Sequence, residues 1–572
     1  MNNNESVIEA LNISVSYISD AVKTTVLDNF SLSLCAGEVV ALVGESGSGK
    51  SSAIMAMLGL LPGNASVSGT IRFHGRVFPA GNEAAFHELR GRGAGLVIQE
   101  PMASLNPLMK VGVQVMEALD LRSDASRIDK EAKLRDLLSE VGLKDERRIT
   151  SSYPHQLSGG QIQRIMIGMA LAQDPGILIA DEPTTALDLT VQRKIINLLM
   201  DLRRKRRMAM IVVSHDLSLV SHISDRIIIM RHGKIVESGA TKSVISRPSS
   251  NYTKTLLESK PGAHAPGTLI PVREDGDSAR AERGGIVNGG RIEHRISDDV
   301  ILRFNDVDVY YRKGFLSVPF RALDGVSLSL RRGETLGVVG ESGSGKSTLG
   351  KLAIGIVRAT RGCVELNGRV VMHADGVRIH ETLPSCQMVF QNSSGALNRG
   401  LRVGRLLEEP YRVLLGMSAS LARKSVIDAL EEVGLAPEIA GRFPHQLSGG
   451  QRQRVNIARA LAGKPSILIC DEAVSALDST VQAGILNLLL RIRASRGLSM
   501  IFISHDMDVI RHVSDRIAVM ERGRIVEENS ANEIFLNPIH PVTINLINSM
   551  FRTKDTESFL SVQPLQAVPT LA

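Results

Sequence analysis

A chain of 572 residues exceeds what one hydrophobic core can organise, so two or more domains are expected. Apolar residues make up 43% and charged residues 22%, as in soluble globular proteins, and the net charge of +7 (67 basic against 60 acidic) is too small an excess to name a partner. Four scattered cysteines without a CxxC pair exclude a zinc site or disulfide framework and fit a reducing cytosol, while no apolar run approaches the ~20 residues that span a bilayer.

The N-terminus, Met1-Asn2-Asn3-Asn4-Glu5, lacks the regions of a signal peptide, so any membrane link is expected to run through other subunits. Alternating Ile13, Val15 and Tyr17 read as a strand. The apolar run Val39–Val43 then feeds Gly44-Glu45-Ser46-Gly47-Ser48-Gly49-Lys50-Ser51, followed by Ser52. A buried strand, a glycine-rich turn and a helix start are the context in which backbone N–H groups and a helix N-terminus bind phosphate. Lys50 would reach phosphate oxygens, and Ser51 would offer a hydroxyl to Mg²⁺. Leu96-Val97-Ile98 precede Gln99. Leu134, Leu137, Leu138 and Val141 then fall on one helical face that Gly142 stops. Ser158-Gly159-Gly160-Gln161 opens a helix and offers a hydroxyl and bare N–H groups to an anion. Ile177–Ala180 is a buried-strand candidate ending in Asp181-Glu182, where Asp181 suits a Mg²⁺ contact, direct or through water. The basic run Arg203–Arg207 reads as the solvated end of a helix rather than a nucleic-acid patch. Met210–Val213 is a further strand, ending in Ser214-His215-Asp216.

The motifs, though not the basic run, recur at a near-constant offset. Tyr311 follows Val307 and Val309, with Tyr310 competing for its place. Gly340-Glu341-Ser342-Gly343-Ser344-Gly345-Lys346-Ser347, then Thr348, repeats the first loop letter for letter, which removes a chance glycine-rich turn as its explanation. Gln391, the helical face Val426, Ala429, Leu430 and Val433, the turn Ser448-Gly449-Gly450-Gln451, Asp471-Glu472 and Ser504-His505 complete the second set. Two homologous halves follow, 1–260 and 298–555. The polar, glycine-rich segment 261–297 is expected to be a flexible linker, and 556–572 a loose tail.

With these motifs in order twice, each half resembles the nucleotide-binding subunit of ATP-binding-cassette (ABC) transporters. The fold implied is α/β: two tandem P-loop ABC-type nucleotide-binding domains, each a mainly parallel sheet core with a helical subdomain. By the same resemblance the cofactors are ATP and Mg²⁺. Glu182 and Glu472 would orient and deprotonate water, His215 and His505 would contact the γ-phosphate, and Gln99 and Gln391 would contact Mg²⁺ and couple to the membrane partner. Tyr17 and Tyr311 match the aromatic that stacks on adenine, although packing at a sheet edge explains them almost as well. In the family, each Ser-Gly-Gly-Gln signature closes on ATP held by the opposite half, so the two cassettes would pair within one chain, with Asp188 and Asp478 where they meet.

Two departures mark the second half: Asp-Glu-Ala-Val-Ser (471–475) replaces Asp-Glu-Pro-Thr-Thr (181–185), and Ala-Leu-Asn-Arg (396–399) replaces Ser-Leu-Asn-Pro (104–107). Both sites keep their chemical groups and are expected to hydrolyse.

Ser104–Pro107, downstream of Gln99, resembles the peptide-importer group, and the segments Pro248–Leu257 and Pro538–Thr543 resemble the "His-Pro-Tyr-Thr, then Leu-Leu" element of oligopeptide, dipeptide and nickel import ATPases, with Asn251 for His and Val542 for Tyr. The resemblance implies ATP hydrolysis that drives import of a peptide-like solute, dipeptide, oligopeptide or glutathione. The partners implied are two transmembrane permease subunits and a periplasmic or surface solute-binding protein, without nucleic acid. The place implied is peripheral, at the cytoplasmic face of the inner membrane. The alternatives are a soluble double-cassette ATPase acting on ribosomes or nucleic acid, and an importer of another small solute such as nickel.

Overall fold

The computed structural model describes residues 6–19, 22–79, 86, 89–91, 93–99, 101–120, 127–185, 187–272, 292, 294–312, 319–373, 376–377, 384–391, 393–475 and 477–550. The tail 556–572 lies outside them. Two compact units result, the first running to Leu257 and the second from Glu258 onward, with Asp188–Thr190 grouped with the second.

In the first unit Val39–Val43, Ile177–Asp181 and Ala209–Ser214 are buried at every position. Continuous apolar runs of this kind make strands covered on both faces. They lie in a six-stranded sheet ordered Lys234–Ala240, Arg226–Arg231, Val39–Val43, Ala209–Ser214, Ile177–Asp181, Ala94–Val97. All neighbours are parallel except the edge pair Lys234–Ala240 and Arg226–Arg231. A four-stranded antiparallel sheet, Val22–Cys35, Ser6–Ser19, Ala65–Phe73, Arg76–Pro79, shares one core with it, through Ile8, Ile13 and Val15 against Val40 and Leu42.

The second unit repeats the plan. Its six-stranded sheet runs Cys386–Val389, Ile467–Asp471, Ser499–Ile503, Thr335–Gly340, Arg516–Glu521, Arg524–Ser530, beside a five-stranded antiparallel sheet. Register sets the chemistry. Val43 pairs with Ser214 and Asp181 with Val213, so the phosphate loop, Glu182 and His215 all leave the sheet at its carboxyl edge, where open α/β sheets bind ligands.

The helical insert follows the expected stripe. Leu134, Leu137, Leu138 and Val141 are buried, as are Val426, Ala429, Leu430 and Val433, each large side chain worth about 1.5–3 kcal/mol. Gly142 and Gly434 end both stripes with φ of 74° and 70°, a conformation glycine adopts without a Cβ penalty. The basic run does end a helix, Leu189–Arg206, but its arginines are not simply solvated. Arg203 donates to the Gly37 carbonyl and Asp225, and Arg206 to Glu140 and Asp174.

The segment 261–297 departs from the flexible linker that its composition suggests. Its residues 273–291 and 293 are outside the description, but 261–272 lies against the second unit as a strap. Leu269 and Ile270 are buried there. The Asn487 carboxamide accepts from the Ile270 N–H at 2.9 Å and donates to its carbonyl at 2.8 Å, satisfying the backbone that burial would otherwise strand. His512 Nε2 meets the Thr268 carbonyl at 2.9 Å, and His294 reaches Asp515 at 3.1 Å. The short apolar run Leu269-Ile270-Pro271-Val272 carries this packing; it is too brief to register as a period.

Candidate nucleotide sites

Each phosphate loop is folded around its own lysine. Lys50, buried, donates to the Gly44 and Glu45 carbonyls at 2.7 Å and to Ser48 Oγ at 3.2 Å. Lys346 repeats this on Gly340, Glu341 and Ser344 at 2.8, 2.7 and 3.3 Å. Burial pulls the Lys346 ammonium below its usual range despite nearby carboxylates. The glycines are required sterically: a Cβ on Gly44 would lie 2.3 Å from the Met230 carbonyl, and Gly49 has φ 97°. Gly49 and Gly345 pass directly into the helices Lys50–Met57 and Lys346–Ala353.

The residue types fit a nucleotide phosphate and a divalent cation. A buried ammonium bonds carbonyl and hydroxyl oxygens beside the strand-end carboxylates, and a helix N-terminus adds partial positive charge. Asp181 bonds the Ser51 hydroxyl, yet its buried Oδ1 has no hydrogen-bond partner among the described residues. Ser347 donates to Asp471 Oδ1 at 3.0 Å. Burial, together with the adjacent glutamate charge, raises both aspartates above the usual carboxylate range, an electrostatic cost that a cation would relieve.

The glutamates are gripped from several sides. Glu182 Oε2 accepts from Gln99 Nε2 at 2.8 Å and from the Thr185 hydroxyl at 2.9 Å, and its Oε1 lies 3.4 Å from His215 Nδ1. Burial alone would raise this carboxyl; the His215 imidazole and Thr185 hydroxyl outweigh it and hold it at about 2. Glu472 meets Gln391, Ser475 (3.4 Å) and His505 (3.3 Å) in the same way and is also lowered, since the His505 hydrogen bond and charge outweigh its burial. Burial would depress His505, but the Glu472 carboxylate raises it. Both glutamates hold left-handed backbone, φ 46° and 48°, a strained conformation that clusters at functional turns.

The structure thus brings Lys50, Ser51, Gln99, Asp181, Glu182 and His215 to one sheet edge, and Lys346, Ser347, Gln391, Asp471, Glu472 and His505 to another. Gln99 and Gln391 rest on the glutamates rather than on the aspartates. Ser158 and Ser448 cap the helices Gly159–Leu171 and Gly449–Leu461 with reciprocal bonds to Gln161 and Gln451. Tyr17, half-buried, packs on the core of its sheets, whereas Tyr311 is exposed and Tyr310 lies under the Arg321 guanidinium. Thr185 and Ser475 are site donors that the sequence displays only as motif variation.

The ABC transporter family model matches residues 27–185 and again 323–475. The chain belongs to the ABC transporter family. A second model, the oligopeptide/dipeptide transporter C-terminal region, matches 236–285 and 526–571. The chain is 38% identical to the peptidoglycan transport ATP-binding protein YejF of Agrobacterium fabrum, over 97% of this chain and 98% of that protein. It is 37% identical to the glutathione import ATP-binding protein GsiA of Escherichia coli K12, over 95% and 89%. Among solved structures, an archaeal ribosome recycling factor bound to a ribosomal stalk protein shares the fold over 90% of both chains, with TM-score 0.56 and 19% identity. This family member is an ATPase with both cassettes in one chain, and no helix among the described residues is long and apolar enough to cross a membrane.

Both regions matched by that model contain a glutamate-anchored helix. Glu237 accepts from Ser249 N, Ser250 N and Thr253 Oγ1 and so pins the helix Asn251–Glu258 to the strand Lys234–Ala240. Glu527 does the same through Ile539 N, His540 N and Thr543.

Proposed function

We propose that this ATPase drives import of a peptide-like solute, an oligopeptide, dipeptide or glutathione, through two separate permease subunits at the cytoplasmic face of the inner membrane. A solute-binding protein would deliver the substrate. The observation that carries the reading is the duplicated C-terminal element, anchored by Glu237 and Glu527, beside two complete sets of phosphate-loop, carboxylate and histidine side chains. Mg²⁺, held by Ser51 and Asp181 in one site and Ser347 and Asp471 in the other, would neutralise phosphate charge. Lys50 and Lys346 would hold phosphate oxygens, the signature turns Ser158–Gln161 and Ser448–Gln451 would supply further donors to nucleotide, and Glu182 and Glu472 would take the proton from water. For that last task each glutamate must first be released from its histidine, because a carboxyl held below its usual range, at about 2 for Glu182, is a poor base.

An apolar groove of about 240 Å³ supports the permease contact. Met388, Phe390, Pro410, Val413 and Leu414 line it beside Gln391, and Val413 is 73% exposed, an unusual position for a bare apolar side chain in a groove. The test is affinity capture of the tagged chain from detergent-solubilised membranes, followed by mass spectrometry. Two multispanning subunits are expected, and their recovery should fall in Val413→Glu. Ribosomal proteins or nucleic acid in their place would overturn the transport reading.

A further inference from the structure

The C-terminal helix of the first cassette touches the phosphate loop. Tyr252, only 8% exposed, lies one residue before the Thr253 that Glu237 anchors, and its hydroxyl accepts the Glu45 N–H at 3.3 Å. That N–H belongs to the Gly44–Glu45 peptide, whose carbonyl takes Lys50 Nζ at 2.7 Å. One peptide plane is therefore held at both ends, by the lysine on one side and by the tyrosine on the other. The ring is fixed in turn by Arg231, whose guanidinium carbon sits 4.6 Å from its centroid, a cation–π distance. Arg231 ends the strand whose preceding residue, Met230, presses its carbonyl on Gly44.

The second cassette changes both members of this brace together. Its matching strand, Arg516–Glu521, ends in Glu521, and the residue before the anchored Thr543 is Val542. Valine has no hydroxyl to accept from the loop, and a glutamate cannot support an aromatic ring as an arginine does. The phosphate loops are otherwise identical in sequence and in their lysine bonds.

We propose that Tyr252 is a positioning residue of the first nucleotide site, tying its phosphate loop to the C-terminal element, and that the second site works without such a tie. The two sites then differ in loop order and nucleotide affinity although their chemical groups are the same. This inference rests on Gly44–Ser51 being a phosphate loop.

The experiment uses the full chain. Amide hydrogen exchange of the nucleotide-free protein reads the Glu45 N–H directly, and a fluorescent ATP analogue reads the first site in a Lys346→Ala background. Tyr252→Phe keeps the ring over Arg231 and removes only the acceptor. Exchange at Glu45 should rise about 2- to 10-fold, the range one neutral hydrogen bond supports, and analogue affinity at the first site should fall within the same range. The thermal midpoint and the second site, read in Lys50→Ala, should not move. Unchanged exchange and affinity in Tyr252→Phe, with Lys50→Ala removing one bound analogue, would overturn the tie alone. Full stoichiometry in Lys50→Ala would overturn the phosphate-loop reading beneath it.

Discussion

The two cassettes are duplicates in their chemistry and differ one layer behind it. Lysine, serine, glutamine, aspartate, glutamate and histidine recur with matching partners. Among the described residues the supports do not recur: the first loop is braced by Tyr252, and the strap 261–272 lies on the second unit. The strap alters the status of residues that the repeat makes equivalent. Asn487 and His512 are buried beneath it, whereas their counterparts Asn197 and His222 are exposed. Identical residue types therefore hold the strap in one half and lie at the surface in the other, where His222 bonds within its own helix turn.

The largest expected effect tests what the halves share. Glu182→Gln with Glu472→Gln should lower hydrolysis at least about 100-fold while analogue binding persists, because a general base contributes about 10²–10⁴. Turnover retained in that double variant would remove both glutamates from their role. The strap supplies the next contrast. Asn487→Leu strands the Ile270 N–H and carbonyl and should cost about 2–3 kcal/mol, seen as earlier unfolding and faster proteolysis within 258–298; Asn197→Leu should stay within about 0.5 kcal/mol. Equal losses at the two positions would deny the strap its stabilising part.

His512 makes the strap pH-dependent. Burial, with His264 and Arg511 nearby adding positive charge, lowers its imidazole from 6.5 to about 4, although its bond to the Thr268 carbonyl acts the other way. Its Nδ1 is buried without a hydrogen-bond partner among the described residues. The unfolded state binds the proton more readily, so this contribution is complete above about pH 6.5 and is lost as pH falls toward 4. By pH 5 the loss should be about 2 kcal/mol. Denaturant titrations at pH 7 and pH 5 should show it, with His512→Gln flattening the difference and His222→Gln leaving it intact. The smallest effect separates Thr185 from Ser475: Thr185→Ala removes a 2.9 Å donor to its glutamate and should change turnover about 2- to 5-fold, more than Ser475→Ala, whose bond is 3.4 Å. A reversed order would indicate that donor distance does not set the grip.

Much of this molecule was legible in its residues because the relevant signals are local. A glycine-rich turn after a buried strand, an Asp-Glu pair at a strand end and a helical stripe closed by Gly142 each declare themselves within a dozen residues. The strap did not, because Leu269–Val272 is short and its partners, Asn487 and His512, lie far along the chain. The role of Tyr252 was hidden for the same reason: Glu45 is distant in sequence, and the motif around Tyr252 reads as a family element rather than as a contact. The Gln99 amide bond to Glu182 was likewise not legible, since the two residues lie far apart in sequence.

The most direct test of the account is nucleotide stoichiometry by calorimetry on the full chain. Two sites per chain are expected, falling to one in Lys50→Ala, to one in Lys346→Ala, and to none in the double variant. A single site in the unmodified chain, or two sites persisting in either lysine variant, would contradict the claim that both cassettes carry a working phosphate loop.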